Sequence, residues 1–306
     1  VFFMPIFLKM GIYTMPEYLE RRYDARVKTV MAVFWLSVFV FVNLSSILYL
    51  GALTIKNVLF AGAAVTLLGT SVDPLWIGIV LLGIFSAAYS VYGGLKSVAL
   101  TDVIQVVFLI GGGLFTTYIA LQHTSDSGSA IDGFSKLLGK APEKFDMILA
   151  RDNPQYTNLP GISVLVGGMW IANLYYWGCN QYIIQRALAA KSVREAQTGL
   201  AFAGVLKLLL PLIVVIPGIV AFVITNDPKS GHFGEITKPD AAYPWLLHKF
   251  VPSGVKGLAF AALIAAIVSS LASMMNSIST IFTMDIYRGF FEPGASETKL
   301  VKVGRI

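Results

Sequence analysis

The sequence predicts an all-α polytopic membrane protein, and three observations support this. Hydrophobic residues make up 56% of the 306 and charged residues only 13%, with a mean hydropathy of +0.72, too apolar a balance for a soluble domain of this length. The apolar residues are gathered into long runs separated by polar connectors. Inside those runs the few polar side chains recur at helical spacing, as Ser269, Ser273, Asn276 and Thr280 do.

Crossing about 30 Å of hydrocarbon takes roughly 20 apolar residues. Six stretches meet or approach that length: Val30–Leu53, Leu75–Tyr92, Val98–Leu121, Ile162–Ile184, Gly199–Ile224 and Gly257–Thr283. The opening "VFFMPIFLK" reads as the last part of a seventh helix. No initiator Met, basic n-region or cleavage site precedes it, so it is not a signal peptide, and the expectation is an N-terminally incomplete fragment. In "TMPEYLERRYDARVK", Thr14 followed by Pro16 and Glu17 has the capping-box pattern and predicts a short helix lying at the membrane interface. The longest connector, Gln122–Pro160, carries an amphipathic piece around Ile131–Leu149 and separates three complete spans from three more.

Connector charge predicts orientation. Lys9–Thr29, Gly93–Ser97, Arg186–Thr198 and Met284–Ile306 together hold most of the 23 Lys and Arg, which assigns them to the cytoplasm and Gln122–Pro160 to the outside. The net charge of +6 is accounted for by basic loops beside anionic lipid, with no nucleic acid required. No repeat of 20–50 residues is visible, although an inverted structural repeat leaves little sequence trace.

The stripe in "GLAFAALIAAIVSSLASMMNSISTIFT" is a face that lipid cannot satisfy. Its candidate partners are neighbouring helices, water, or a small hard cation that prefers oxygen ligands. Two formal charges, Asp102 and Lys207, lie within the spans, each costing roughly 2.5–3.5 kcal/mol at mid-bilayer on insertion scales. Asp102 lies near the start of its span, where it serves either as a wet helix cap or as a functional acid. Lys207 is about 12 Å into its span, which leaves strained snorkelling on one side and a buried partner or ligand on the other.

Segment Ile162–Ile184 is unusual at its centre. Gly167, Gly168 and Gly178 loosen the helix, while Asn173, Tyr175, Tyr176, Trp177, Asn180 and Gln181 bring amides and aromatic rings to membrane depth. Interhelical hydrogen bonding with an aromatic belt is one reading. The density of these groups favours the other, a site for a polyhydroxylated solute, with an unwound helix freeing backbone groups around a protein-lined cavity. Soluble-site chemistry finds little support. Cys179 has no partner, His123, His232 and His248 are scattered over connectors and expected to be solvated, and "VYGGLKS" lacks the context of a phosphate loop. No enzyme is expected.

Three blocks carry a more specific resemblance. "YSVYGGLKS" followed by "VALTDVIQVVFL", then "ANLYYWGCNQYIIQRALAAKSVREAQ", then "AAIVSSLASMMNSISTIFTMDIY" together resemble the sodium/solute symporter family, in its sodium/sugar (glucose or galactose) branch. The resemblance implies a LeuT-type core of ten helices in two inverted five-helix repeats. Residues 1–121 would be the end of the first repeat, 122–160 an extracytoplasmic connector, and 161–306 the start of the second. The helices outside this span, a broken first and a tenth, would add sodium and sugar contacts, so the fragment alone is not expected to transport.

Carried over position by position, the resemblance makes Asn173 and Lys207 sugar-binding. Tyr176 becomes the aromatic that stacks on the sugar and closes the inner gate, with Trp177 its neighbour. Ser269, Ser270 and the Ala266 carbonyl become ligands of Na+, the coupling ion, and Asp102 an acid on the ion's exit path. Ser270 lies about 100° round the helix from Ser269 and outside the stripe. Pro211, Pro217 and Gly218 are candidate bending points in the Lys207 helix. The implied activity is sodium-coupled symport of a monosaccharide by alternating access in the cell membrane. Symport of inositol, an amino acid or a carboxylate is the second reading, and a transporter-like channel or sensor the third.

Overall fold

The computed structural model describes residues 2–60, 63–67, 69–159, 161–226, 236 and 241–305. His232 therefore lies outside the described residues. Helices dominate: α1 (Phe3–Met10), α2 (Met15–Arg22), α3 (Ala25–Leu59), α4 (Pro74–Gly94), α5 (Val98–Thr124) and α6 (Ala130–Lys140) make up the first half. The second half contains α7 (161–178), α8 (Gln181–Leu188), α9 (Val193–Asn226), α10 (Ala242–Phe250), α11 (Gly254–Phe291) and α12 (Glu297–Gly304). Between α3 and α4 a two-stranded antiparallel hairpin, β1 (Val65–Leu67) with β2 (Thr70–Val72), was not foreseen. It pairs Val65 with Val72 and lies in a connector.

Five of these helices, α3, α4, α5, α9 and α11, are long and apolar enough to cross a membrane. The sixth expected span, Ile162–Ile184, is not one helix. Its backbone widens to π geometry over Val164–Gly168, resumes as α-helix through Gly178, breaks at Cys179 and Asn180, and continues as α8. Gly167 and Gly168 sit in the widened stretch, as their weak helix preference leads one to expect. Asn180 then starts α8 by accepting from the Tyr182 N–H at 3.1 Å.

The interior is built around α11. It packs most extensively on α4 and α5, and its Val268 and Leu271 are buried together with Leu82 of α4 and Ile55 of α3; elsewhere on α3, Ala32 and Phe39 form a second cluster with Met274 and Ile281. A third cluster joins α5, α6, α9 and α10 through Leu121, Leu137, Val220 and Leu246. α4 passes into α5 through Gly94 at φ 57°, a left-handed conformation that glycine adopts without a Cβ penalty. Gly133 on α6 lies so close to the Leu121 carbonyl that a side chain there would overlap it.

Thr14 caps α2 as the sequence predicts, while the reciprocal bond from Glu17 reaches one residue before the cap. Thr14 Oγ1 accepts from the Glu17 N–H at 3.2 Å, while Glu17 Oε2 accepts from the Tyr13 N–H at 2.8 Å. The same Thr14 hydroxyl donates to Asp285 Oδ1 at 2.9 Å, and Lys28 Nζ stands 3.7 Å from that oxygen, tying α2 and α3 to the end of α11. Asp285 is 1% exposed, a buried charge that sequence reasoning passed over inside "TMDIY". The amphipathic piece of the long connector forms as α6, and Pro142–Lys144 after it is a single turn of 3-10 helix.

Candidate functional site

Two groups of candidate residues lie on different helices. The first is centred on Asp102, one turn into α5. Its carboxylate is not a helix cap: Oδ2 is 2.7 Å from Arg186 Nη2, and Oδ1 accepts from the Ser269 hydroxyl of α11. Arg186 also donates to Ser273 Oγ, and Gln185 Nε2 donates to the Ser273 carbonyl at 3.0 Å. Ser269, Asp102, Arg186 and Ser273 thus form a chain of polar contacts joining α5, α8 and α11.

These contacts resolve the oxygen stripe. Ser269 and Ser273 are buried, 5% and 0% exposed, and are met by charged side chains from neighbouring helices. Thr280 turns back to its own helix, donating to the Asn276 carbonyl at 2.7 Å, and Asn276 Nδ2 has no hydrogen-bond partner among the described residues. Ala266 and Ser270 are half-buried on the same helix as Ser269. Of the expected ion ligands, Ser269 is the one in contact with the Asp102 carboxylate; Ser270 and Ala266 lie on the same helix, and all the donors these residues would offer are oxygens, the ligand type hard cations take. No group of three or more His, Cys, Asp or Glu that would favour a divalent or softer metal occurs among the described residues.

The second group lies where α7 faces α9. Lys207 Nζ sits 4.4 Å from the Trp177 ring centroid and 5.3 Å from that of Tyr176, whose rings meet edge to face at 5.3 Å. The partner of the membrane-depth lysine is therefore a pair of aromatic faces. Lys207 is also where regular helix ends: the next stretch, Pro211–Val215, has π geometry before α-helix resumes at Ile216. Pro211, with no N–H to give, accounts for that interruption, and Thr117 Oγ1 of α5 donates to the Leu212 carbonyl at 2.8 Å.

Asn173 stands on the same face of α7 as Tyr176 and Trp177, three and four residues on. It is exposed, and its Nδ2 donates to the Met169 carbonyl of its own helix at 2.8 Å. The remaining polar residues of this stretch are structural, contrary to the expectation that they crowd one solute. Tyr175 stacks on Trp35 of α3 at 4.9 Å, Asn180 caps α8, and Gln181 clamps the α1–α2 turn. In that clamp Gln181 Oε1 accepts from the Met15 N–H at 3.0 Å and Nε2 donates to the Tyr13 carbonyl at 2.9 Å.

Arg186 is the residue that sequence reasoning missed, having entered only as a basic connector residue. A signal was present: Asp102 near the start of an apolar span needs a counter-charge, and an arginine directly ends the run "CNQYIIQR".

Taken together, a bundle of apolar helices with polar groups at irregular helix segments defines an all-α polytopic membrane protein of the LeuT-type fold, broken near its candidate binding residues. The sodium:solute symporter family matches residues 1–306, and the chain belongs to that family. It is 53% identical over 313 residues to a sodium/glucose cotransporter of Vibrio parahaemolyticus, covering 99% of this chain and 55% of that protein. A sodium/myo-inositol cotransporter 2 of Mus musculus is 35% identical over 322 residues, covering 99% and 46%. The chain thus spans about half the length of the relatives it matches. Among solved structures, the substrate-bound outward-open state of a Na+-coupled sialic acid symporter superposes with a TM-score of 0.80 at 25% identity, covering 99% of this chain and 60% of that one.

Proposed function

We propose that this chain is part of a sodium-coupled sugar symporter of the cell membrane, taking a glucose- or galactose-like monosaccharide with Na+ by alternating access. The observation that carries this reading is the placement of Lys207 over Tyr176 and Trp177, one turn from Asn173. Flat aromatic faces cover the apolar face of a pyranose, while an ammonium and an amide hydrogen-bond its hydroxyls. The Vibrio relative, a sodium/glucose cotransporter, supports the same substrate class.

In this reading Ser269, Ser270 and the Ala266 carbonyl replace part of the hydration shell of sodium, and Asp102 draws the ion toward the cytoplasm. Each charge crossing 100 mV contributes about 2.3 kcal/mol to the coupled step. The division into an end of one inverted repeat before residue 122 and the start of another after 160 belongs to the same proposal. So do the cytoplasmic assignment of the basic connectors and the further sodium and sugar contacts from helices outside this span.

The test is uptake of labelled galactose by the full-length gene product in proteoliposomes. Accumulation that needs an inward sodium gradient is expected, and uptake indifferent to sodium would overturn the reading. A second substrate, inositol, is favoured by the myo-inositol relative. A competition panel of galactose, glucose and inositol separates the two.

A further inference from the structure

The Asp102 carboxylate is shared between two groups that make different demands on it. Toward Ser269 it offers Oδ1, which accepts the serine hydroxyl; toward α8 it offers Oδ2, paired at 2.7 Å with Arg186. The pair is only partly exposed, 32% at the arginine side chain and 23% at the aspartate, so water screens it less than a surface pair. Arg186 is also held by Ser273 Oγ, and its Nε is buried without a hydrogen-bond partner among the described residues. The guanidinium is therefore anchored within reach of the proposed ion ligands, and it already supplies the positive charge that a cation beside Ser269 would bring.

From this geometry we infer that Arg186 is a tethered counter-cation that competes with sodium for Asp102 and so sets how tightly the ion is held. The inference rests on the sodium-coupled reading above. With no ion present, Arg186 neutralises Asp102. A sodium ion on the oxygen donors around Ser269 must share that carboxylate with the guanidinium, and the repulsion between the two cations weakens binding. When the ion leaves, Arg186 again provides the whole counter-charge, so Asp102 is never left bare at membrane depth. α8 follows α7 directly after the break at Cys179 and Asn180, so the competitor is carried by the chain segment that also bears Asn173, Tyr176 and Trp177.

Arg186 acts here as a positioning residue, and its signature is a split between affinity and rate. In the full-length protein, Arg186→Gln is expected to tighten labelled-sodium binding by roughly five- to tenfold, the scale of one partly screened charge pair. It should also lower the maximal rate of galactose uptake, because release of the ion slows. Arg186→Lys keeps the charge but loses the second contact, and should shift sodium affinity in the same direction by less. A purely structural arginine predicts loss of folded protein without tighter sodium binding.

Sodium binding that is unchanged or weaker in Arg186→Gln, in protein that still binds galactose, overturns the inference. If that variant does not fold, Arg186→Lys decides by the same criterion. The wild-type arm scores the underlying reading separately: wild-type protein that binds sodium but moves sugar without it defeats the symport reading, while the affinity comparison still tests Arg186. Wild-type protein that binds no sodium defeats both.

Discussion

Lys207 stands with its ammonium 4.4 Å from the centre of the Trp177 ring, at the point where the regular helix of α9 gives way to π geometry. The charge is held by an aromatic face rather than by a carboxylate, so it keeps its donors for a ligand. Replacing Trp177 by Leu is expected to weaken sugar binding by about 1 kcal/mol, roughly fivefold, by removing the better cation–π partner. Sugar affinity equal to wild type by equilibrium binding would show that Trp177 only borders the site.

Asn173 and Ser269 belong to separate groups of residues and should separate functionally. Asn173→Ala is expected to raise the sugar concentration needed for half-maximal uptake more than the sodium concentration, and Ser269→Ala to do the reverse. The expected scale for each is one hydrogen bond, about 1 kcal/mol. Equal effects of both variants on both ligands contradict the assignment.

The link from Thr14 to Asp285 should be a large stabilising contact because the carboxylate is 1% exposed and its Oδ2 has no hydrogen-bond partner among the described residues. Thr14→Val removes the donor to Oδ1 and the cap of α2 together. A loss of about 2–3 kcal/mol is expected, read as a lowered midpoint of thermal unfolding in detergent. Thr14→Ser, which keeps both hydrogen bonds, should restore most of it.

Two glycines of α6 should respond oppositely to the same change. Gly133→Ala drives a methyl group into the Leu121 carbonyl and is expected to destabilise by about 1–3 kcal/mol. Gly139→Ala meets open space and should gain up to about 1 kcal/mol from helix propensity. Matching effects in denaturant unfolding would mean that α6 does not lie this close to α5.

Asp132 organises the loop before α6 by accepting from Ser125 Oγ at 2.6 Å and Ser127 Oγ at 3.1 Å. The Ser125 hydroxyl first, and those of Ser127 and its backbone next, hold this carboxyl below the usual carboxylate value. A lowered folded-state pKa contributes stability at higher pH that is lost as pH falls through the folded value. Hydrogen exchange of residues 125–129 should therefore stay slow at neutral pH and speed up only in acid below the ordinary Asp range, and Asp132→Asn should remove that acid transition.

What could be read from the chain and what could not follows the range of the forces involved. Apolar run length is a local property, and it identified α3, α4, α5, α9 and α11, although the run at Ile162–Ile184 concealed a break. The cap at Thr14 depends on residues three apart and was equally legible. The 3.6-residue period identified the stripe on α11 as a face in need of partners but not what those partners are. Lys207 announced itself as a costly charge without indicating that two aromatic rings would meet it.

By itself, then, the sequence determined the membrane class, the position of most helices, the family resemblance and the positions of the polar groups within the apolar runs. Only the tertiary structure decided which of those groups meet. Arg186 and Asp102 lie 84 residues apart, and Thr14 and Asp285 are separated by 271. Pairings at such separations depend on how whole helices pack, through the burial of side chains on α4, α5 and α11, and no local spacing records that packing.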